Sequence, residues 1–228
     1  MTVGILIVSH SEKIAEGVVD LAGQMASGVT ITPAGGTDDG RIGTSFDRVT
    51  AGLAATDSGD GVVVLCDLGS AVLTAETALD FLDDEARARV EIVDAPLVEG
   101  AVAAAVAAAS GSARADVAAA ARTANGETAV ADAPTSPADA TTSGPYERSV
   151  VLVNRDGLHA RPAAEFVKLA SRQDAPVTVN GKDARSLLAI MGLGLTAGST
   201  VTLSTPDPAG RPAVDALAEL IESGFGET

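Results

Sequence analysis

The sequence predicts two α/β domains: a mostly parallel open sheet with helices on both faces, then a smaller α+β open-faced sandwich. Three observations carry this reading. Through residue 124, short apolar runs alternate with segments of helical period, the pattern of strands buried on both faces and joined by crossover helices. Periodicity then stops between 125 and 146. Beyond 147 the elements recur in the order β-α-β-β-α-β-α within about 80 residues, typical of a split-βαβ sandwich.

The first strand is Val3–Val8, a continuous apolar run that ends in Ser9-His10-Ser11. Ile14, Val18, Leu21 and Met25 follow at helical spacing and predict a buried helix face. Val29–Pro33 reads as a strand, and Ile42, Phe46, Val49 and Leu53 as a second helix face. Gly61–Cys66 is a strand leading into a helix over 71–82. Val90–Val93 is a short strand before two Ala-rich helices near 97–109 and 112–123. The stretch 125–146 is rich in Ala, Thr, Ser, Pro and Asp and reads as a flexible linker. As a flexible chain of that length its ends would lie roughly 25 Å apart. After it come a strand at Ser149–Val153, a helix at Ala160–Ala170 with Ala164, Val167, Leu169 and Ala170 inward, and a strand at Val177–Val179. Asn180-Gly181 is a strong hairpin signal. A short helix at Ser186–Leu193, a strand at Thr200–Ser204 and a helix at Val214–Ile221 complete the order.

Composition narrows the partners. Net charge is −16, which argues against nucleic acid or an anionic membrane surface. The acidity is uneven: seven basic face eighteen acidic side chains up to residue 124, against eight and ten from 147 onward. That contrast would help the two domains dock, although solubility alone also explains it. Aromatics are 2%, so Ala, Val, Leu and Gly must fill the interiors. Cys66 lies in an apolar run and reads as a small core residue. No basic segment precedes the first apolar run, and Ala101–Ala109 is too short to span a bilayer. The expected compartment is cytoplasmic, with no membrane contact. With two histidines in separate domains and one cysteine, no metal site is expected, and the P-loop pattern is absent.

Each histidine falls where a strand or loop meets a helix start. There, unpaired backbone N–H groups and a partial positive charge suit a phosphoryl group. Neutral imidazole is a capable nucleophile, and phosphoryl transfer asks chiefly for positioning and charge stabilisation. Around His159 the run is Asp156-Gly157-Leu158-His159-Ala160-Arg161-Pro162. Gly157 permits a turn, Pro162 suits a first helical turn, and Arg161 can set a guanidinium beside added phosphate. A histidine acting only as a helix cap is the alternative. At the other site, Asp67 follows a strand end that should share an edge with His10. It can orient the imidazole through one ring N–H and leave the other nitrogen to attack, or merely cap a helix. Ser70 and the Gly69 backbone are candidate phosphate contacts, as are Ser9, Ser11 and the Ala160 backbone.

The run GLHARPA with its element order closely resembles HPr, the histidine phosphocarrier of the phosphoenolpyruvate:sugar phosphotransferase system. The resemblance implies phosphorylation of His159 on Nδ1 by enzyme I, with Arg161 steadying the group. Ser186 matches a serine that some HPr proteins have phosphorylated by a kinase, though a helix N-cap is the plainer reading. Leu187, Ile190 and Met191 resemble the apolar docking patch, or else serve the core. Residues 1–123 resemble the mannose-type IIA family through IVSHS, IGTSFD, DLGSAVLTAE and PLVEGAVAAA. Within it, Leu68-Gly69-Ser70-Ala71 points to the branch serving bacterial dihydroxyacetone kinases. That resemblance implies phosphorylation of His10 on Nε2 beside Asp67, and homodimerisation through this domain.

Together the resemblances imply a relay from a separate enzyme I to His159, then His10, then ADP on a partner kinase subunit. That ATP, with Mg, would phosphorylate dihydroxyacetone held by a third subunit; this chain would bind no cofactor itself. A tether between the carriers would give an effective concentration on the order of millimolar. The alternatives are a IIA–HPr component of a mannose-type permease, which needs a IIB acceptor, and a regulatory module whose phosphorylation state is read by another protein.

Overall fold

The computed structural model describes residues 2–125, 145–155 and 157–226. It divides into two compact units, the boundary falling between 127 and 128. The linker expected over 125–146 lies almost wholly outside the described residues.

In the first unit, β1 (Gly4–Ser9), β2 (Ile31–Gly35), β3 (Val62–Cys66) and β4 (Val90–Val93) form one parallel sheet in the order β2-β1-β3-β4. β1 is buried along its whole length because it is central and covered on both faces. Leu6 and Val8 face one layer, with Val49 and Leu53 of α2 (Phe46–Thr56) and Ala71, Ala75 and Ala78 of α3 (Gly69–Asp80). The other layer holds α1 (Glu12–Met25), packed on α5 (Leu97–Ala109), which packs in turn on α6 (Arg114–Arg122). A short α4 (Asp84–Ala88), capped by the Asp83 side chain, precedes β4 and has no counterpart in the hydrophobic pattern.

Two expected helix faces are corrected. Ala15, Val18 and Ala22 form the buried face of α1, while Ile14 and Leu21 stay half exposed. The small alanines let α1 approach the sheet and α5 closely, so the bulkier side chains are left at the flank. Ile42 belongs to the loop before α2, not to its face, and is largely exposed. Cys66 is packed against the core without being fully enclosed. Burial first, then the nearby Asp67 and Glu76 carboxylates, push its thiol pKa up to about 12; the thiol is inert at neutral pH.

The second unit is an antiparallel sheet in the order β5-β8-β6-β7: β5 (Tyr146–Val151), β6 (Thr178–Val179), β7 (Lys182–Asp183) and β8 (Thr200–Thr205). Asn180 and Gly181 both have positive φ, 47° and 80°, as a type I′ hairpin turn requires. α7 (Ala160–Ser171), α8 (Leu187–Met191) and α9 (Arg211–Glu222) complete the unit. β5 alternates exposed and covered residues, as expected of an open-faced sheet. Phe166, absent from the expected core of α7, is fully buried, and Leu169 is only partly so. Tyr146, expected as the last linker residue, already pairs with Thr205 and donates its hydroxyl to Asp215 of α9 at 2.9 Å.

Candidate functional site

His10 sits at the carboxyl edge of the parallel sheet, one residue past β1. The parallel register sets Val8 beside Cys66 and Ser9 beside Gly35, so Asp67 emerges directly next to His10. α1 and α3 both begin at this edge and aim their N-termini at it. Gly35 makes the approach possible: a Cβ there would lie 2.6 Å from the Ser11 carbonyl and 2.8 Å from Glu12 Cα.

The imidazole is held at both nitrogens. Nδ1 lies 2.9 Å from Asp67 Oδ1, and Nε2 lies 2.7 Å from Ser70 Oγ. With Asp67 ionised, Nδ1 carries the proton and Nε2 keeps its lone pair, facing the Ser70 hydroxyl. The ring is 20% exposed, enough for an incoming group to reach Nε2. Asp67 does not cap α3; it is a four-fold acceptor. Oδ2 accepts from the Ser9 hydroxyl at 2.8 Å and the His10 amide at 2.9 Å, and Oδ1 also accepts from the Leu68 amide at 2.8 Å. Burial by itself would raise the Asp67 pKa, but these hydrogen bonds together outweigh it and hold the carboxyl below its ordinary value.

Gly69 and Ser70 open α3, so their backbone N–H groups belong to the unpaired first turn beside Nε2. A side-chain carbon at Gly69 would meet nothing within 4 Å, so the space above the turn is open. Ser11 is the N-terminal cap residue of α1, with its amide directed at Ser9 Oγ, 3.1 Å away. The phosphate contact expected from Ser9 is not available: that side chain is fully buried and its hydroxyl is engaged by Asp67 and Ser11. One wall of the site went unrecognised in the sequence. The loop between β2 and α2 donates the Gly43 amide to the His10 carbonyl at 2.9 Å, and Thr44 Oγ1 lies 2.8 Å from Thr74 Oγ1, which donates to the Ser70 carbonyl. The small polar run Gly43-Thr44-Ser45 was the available signal.

His159 occupies the N-cap position of α7 with an extended backbone and is exposed. Its side chain does not cap the helix. Ala160 and Arg161 form the first turn, with Arg161 exposed and Pro162 buried at a position where no amide is needed. Asp156 lies outside the described residues. The preceding loop is fixed by Asn154, a buried side chain that donates Nδ2–H to the Gly157 carbonyl. Gly157 has φ +72°, and a Cβ there would meet the Leu195 carbonyl and lie 2.8 Å from Thr196 Cα. Gly157→Ala is therefore expected to destabilise the second unit by at least about 2 kcal/mol. Denaturant titration of the full chain checks this, and a variant as stable as the parent would mean that the loop shifts without cost. Ser186 caps α8, its Oγ accepting from the Ala189 amide at 3.4 Å. Leu187 and Ile190 are buried, so of the two alternatives they serve the core, while Met191 remains exposed.

Among the described residues no group of three or more His, Cys, Asp or Glu could hold a metal, and no helix is long and apolar enough to cross a membrane.

Fold and site together define an α/β protein with an imidazole–carboxylate pair at a sheet edge and a second imidazole at a helix start. Residues 4–119 match the EIIA-man family model, described as the PTS system fructose IIA component, and the chain belongs to that family. Residues 146–223 match the model for the PTS HPr component phosphorylation site. The phosphoryl donor subunit DhaM of the PEP-dependent dihydroxyacetone kinase of Escherichia coli K12 is 36% identical over 241 residues, an alignment covering 99% of this chain and 51% of the relative. The corresponding subunit of a second such kinase, from Listeria innocua, is 45% identical over 105 residues, covering 46% of this chain and 84% of the relative. The chain thus spans about half the length of the longer relative. A crystal structure titled as the unknown function protein EF1359 is similar with a TM-score of 0.50 and 38% identity, covering 54% of this chain and 94% of that one.

Proposed function

We propose that the chain is a phosphohistidine relay within a phosphoenolpyruvate-dependent dihydroxyacetone kinase. Enzyme I phosphorylates His159, His159 passes the group to His10, and His10 passes it to ADP held with Mg on a partner kinase subunit. Dihydroxyacetone on a third subunit is the final acceptor, and this chain holds no cofactor of its own. The observation that carries the reading is the double anchoring of His10, which presents the Nε2 lone pair at a helix start.

In the step between carriers, the bond from phosphorus to His159 Nδ1 breaks as one to His10 Nε2 forms. No proton needs to leave the acceptor ring. Nδ1 keeps its hydrogen, the phosphorylated ring becomes cationic, and the Asp67 carboxylate offsets that charge at 2.9 Å. Ser70 Oγ turns from the nitrogen to the phosphoryl oxygens, joined by the Gly69 and Ser70 amides and by Ser11 above α1. Arg161 and the Ala160 amide serve the same purpose at His159. Ser186 is a helix cap that a kinase could reach for regulation. The relay works in the cytoplasm, with the first unit forming a homodimer.

Identity of the acceptor is tested by mixing the phosphorylated protein with ADP-loaded kinase subunits or with a mannose-type IIB domain. The ADP-loaded subunits are expected to drain the label within one turnover. Drainage to the IIB domain alone would assign the chain to a sugar permease, and retention of label with both would favour a regulatory module.

A further inference from the structure

We propose that Ser9 is a positioning residue that acts through Asp67 to hold His10 in the tautomer able to accept a phosphoryl group. The proposal rests on the phosphohistidine reading of His10 and deepens it.

Ser9 is among the few fully buried polar side chains of the described residues. It ends a central strand whose other members, Gly4–Val8, carry no side-chain polar group. A buried hydroxyl there costs free energy unless both its donor and its acceptor capacity are used. Both are. Ser9 Oγ donates to Asp67 Oδ2 at 2.8 Å and accepts the Ser11 amide at 3.1 Å. Alanine would fill the same space without that demand, so packing does not account for the hydroxyl.

Its effect falls on the carboxylate. Ser9 and the His10 amide grip Oδ2, which fixes the plane of the Asp67 carboxyl. Oδ1 is then aimed at His10 Nδ1, 2.9 Å away, and at the Leu68 amide. Neutral imidazole in water favours the proton on Nε2, the nitrogen that must be bare to attack. Asp67 reverses that preference only while its carboxyl is held in register. Without the Ser9 hydroxyl, Oδ2 keeps a single donor, the carboxyl can pivot, and the Ser11 amide at the start of α1 loses its acceptor.

The test compares the full-length parent with Ser9→Ala and Ser9→Thr. Ring ¹⁵N shifts of unphosphorylated His10 report the tautomer directly. The parent is expected to show the Nδ1–H form, Ser9→Ala a mixture with Nε2–H, and Ser9→Thr the parent pattern. Transfer into His10 is expected to fall about tenfold in Ser9→Ala, with Ser9→Thr within about threefold of the parent. In an Asp67→Ala background, Ser9→Ala should cause no further loss. An unchanged tautomer and rate in Ser9→Ala, or a full tenfold loss on top of Asp67→Ala, would overturn the proposal. Should Ser9→Ala fail to fold, Ser9→Cys retains the volume with a weaker donor and carries the same comparison. If the parent never acquires label on His10, the relay reading fails, and the nitrogen shifts still decide the role of Ser9.

Discussion

His159→Ala is expected to reduce labelling of His10 from phosphoenolpyruvate and enzyme I on the order of 10³-fold or more, and added free HPr is expected to restore it. In the proposed relay His159 forms the covalent intermediate, and removing such a nucleophile leaves no partial route, so the loss is far larger than that of any positioning group. The imidazole stands exposed at the start of α7, so alanine there removes no buried packing. Rescue by HPr separates a broken relay from a damaged acceptor, because His10 and its surroundings are untouched. Acid-labile ³²P on the two units, separated by proteolysis, is the measurement. Persistent labelling of His10 in the variant without added HPr would mean that enzyme I reaches that site directly.

Asp67→Ala is expected to slow phosphoryl transfer at His10 by about 10²- to 10⁴-fold while labelling of His159 stays at the parental level. In the proposed transfer the carboxylate sets which nitrogen holds the proton and carries the charge opposite the phosphorylated ring, so its loss raises the barrier twice over. Equal losses at both histidines would instead signal a folding defect. Stability offers a second readout with a definite sign. The folded-state pKa of Asp67 is lowered from its ordinary value of 3.8 by the hydrogen bonds it accepts. Such a group stabilises the fold above its unfolded pKa, and the contribution fades as pH drops through the lower folded value. The stability gap between parent and Asp67→Ala is thus expected to be widest at neutral pH and to narrow below about pH 4.

The placement of the two histidines was legible because its signals are written locally. His159 lies between a glycine that must turn and a proline that must start a helix, and the structure needs both: Gly157 at φ +72° against Leu195 and Thr196, Pro162 in the first turn of α7. The pairing of His10 with Asp67 was legible for a different reason. Two apolar runs buried on both faces must lie parallel, and parallel strands end at the same edge. The facing of α1 was not legible. Ile14 and Leu21 outweigh Ala15 and Ala22 in hydrophobicity, yet the alanines win the interior because they let the helix come closer.

By itself the sequence determined the main order of strands and helices apart from the short α4, the mostly parallel first sheet and the open-faced second one, the hairpin at Asn180-Gly181 and the location of both imidazoles at helix starts, since each of these follows from neighbours along the chain. Only the tertiary structure decided that Ser9 faces inward to Asp67, that the Gly43–Thr44 loop walls the His10 site, and that Leu187 and Ile190 belong to the core. Those outcomes depend on which way a side chain points once strands are in register and helices have closed on the sheet. Hydrogen-bond geometry between residues nearly sixty positions apart is fixed by that packing and leaves no local trace.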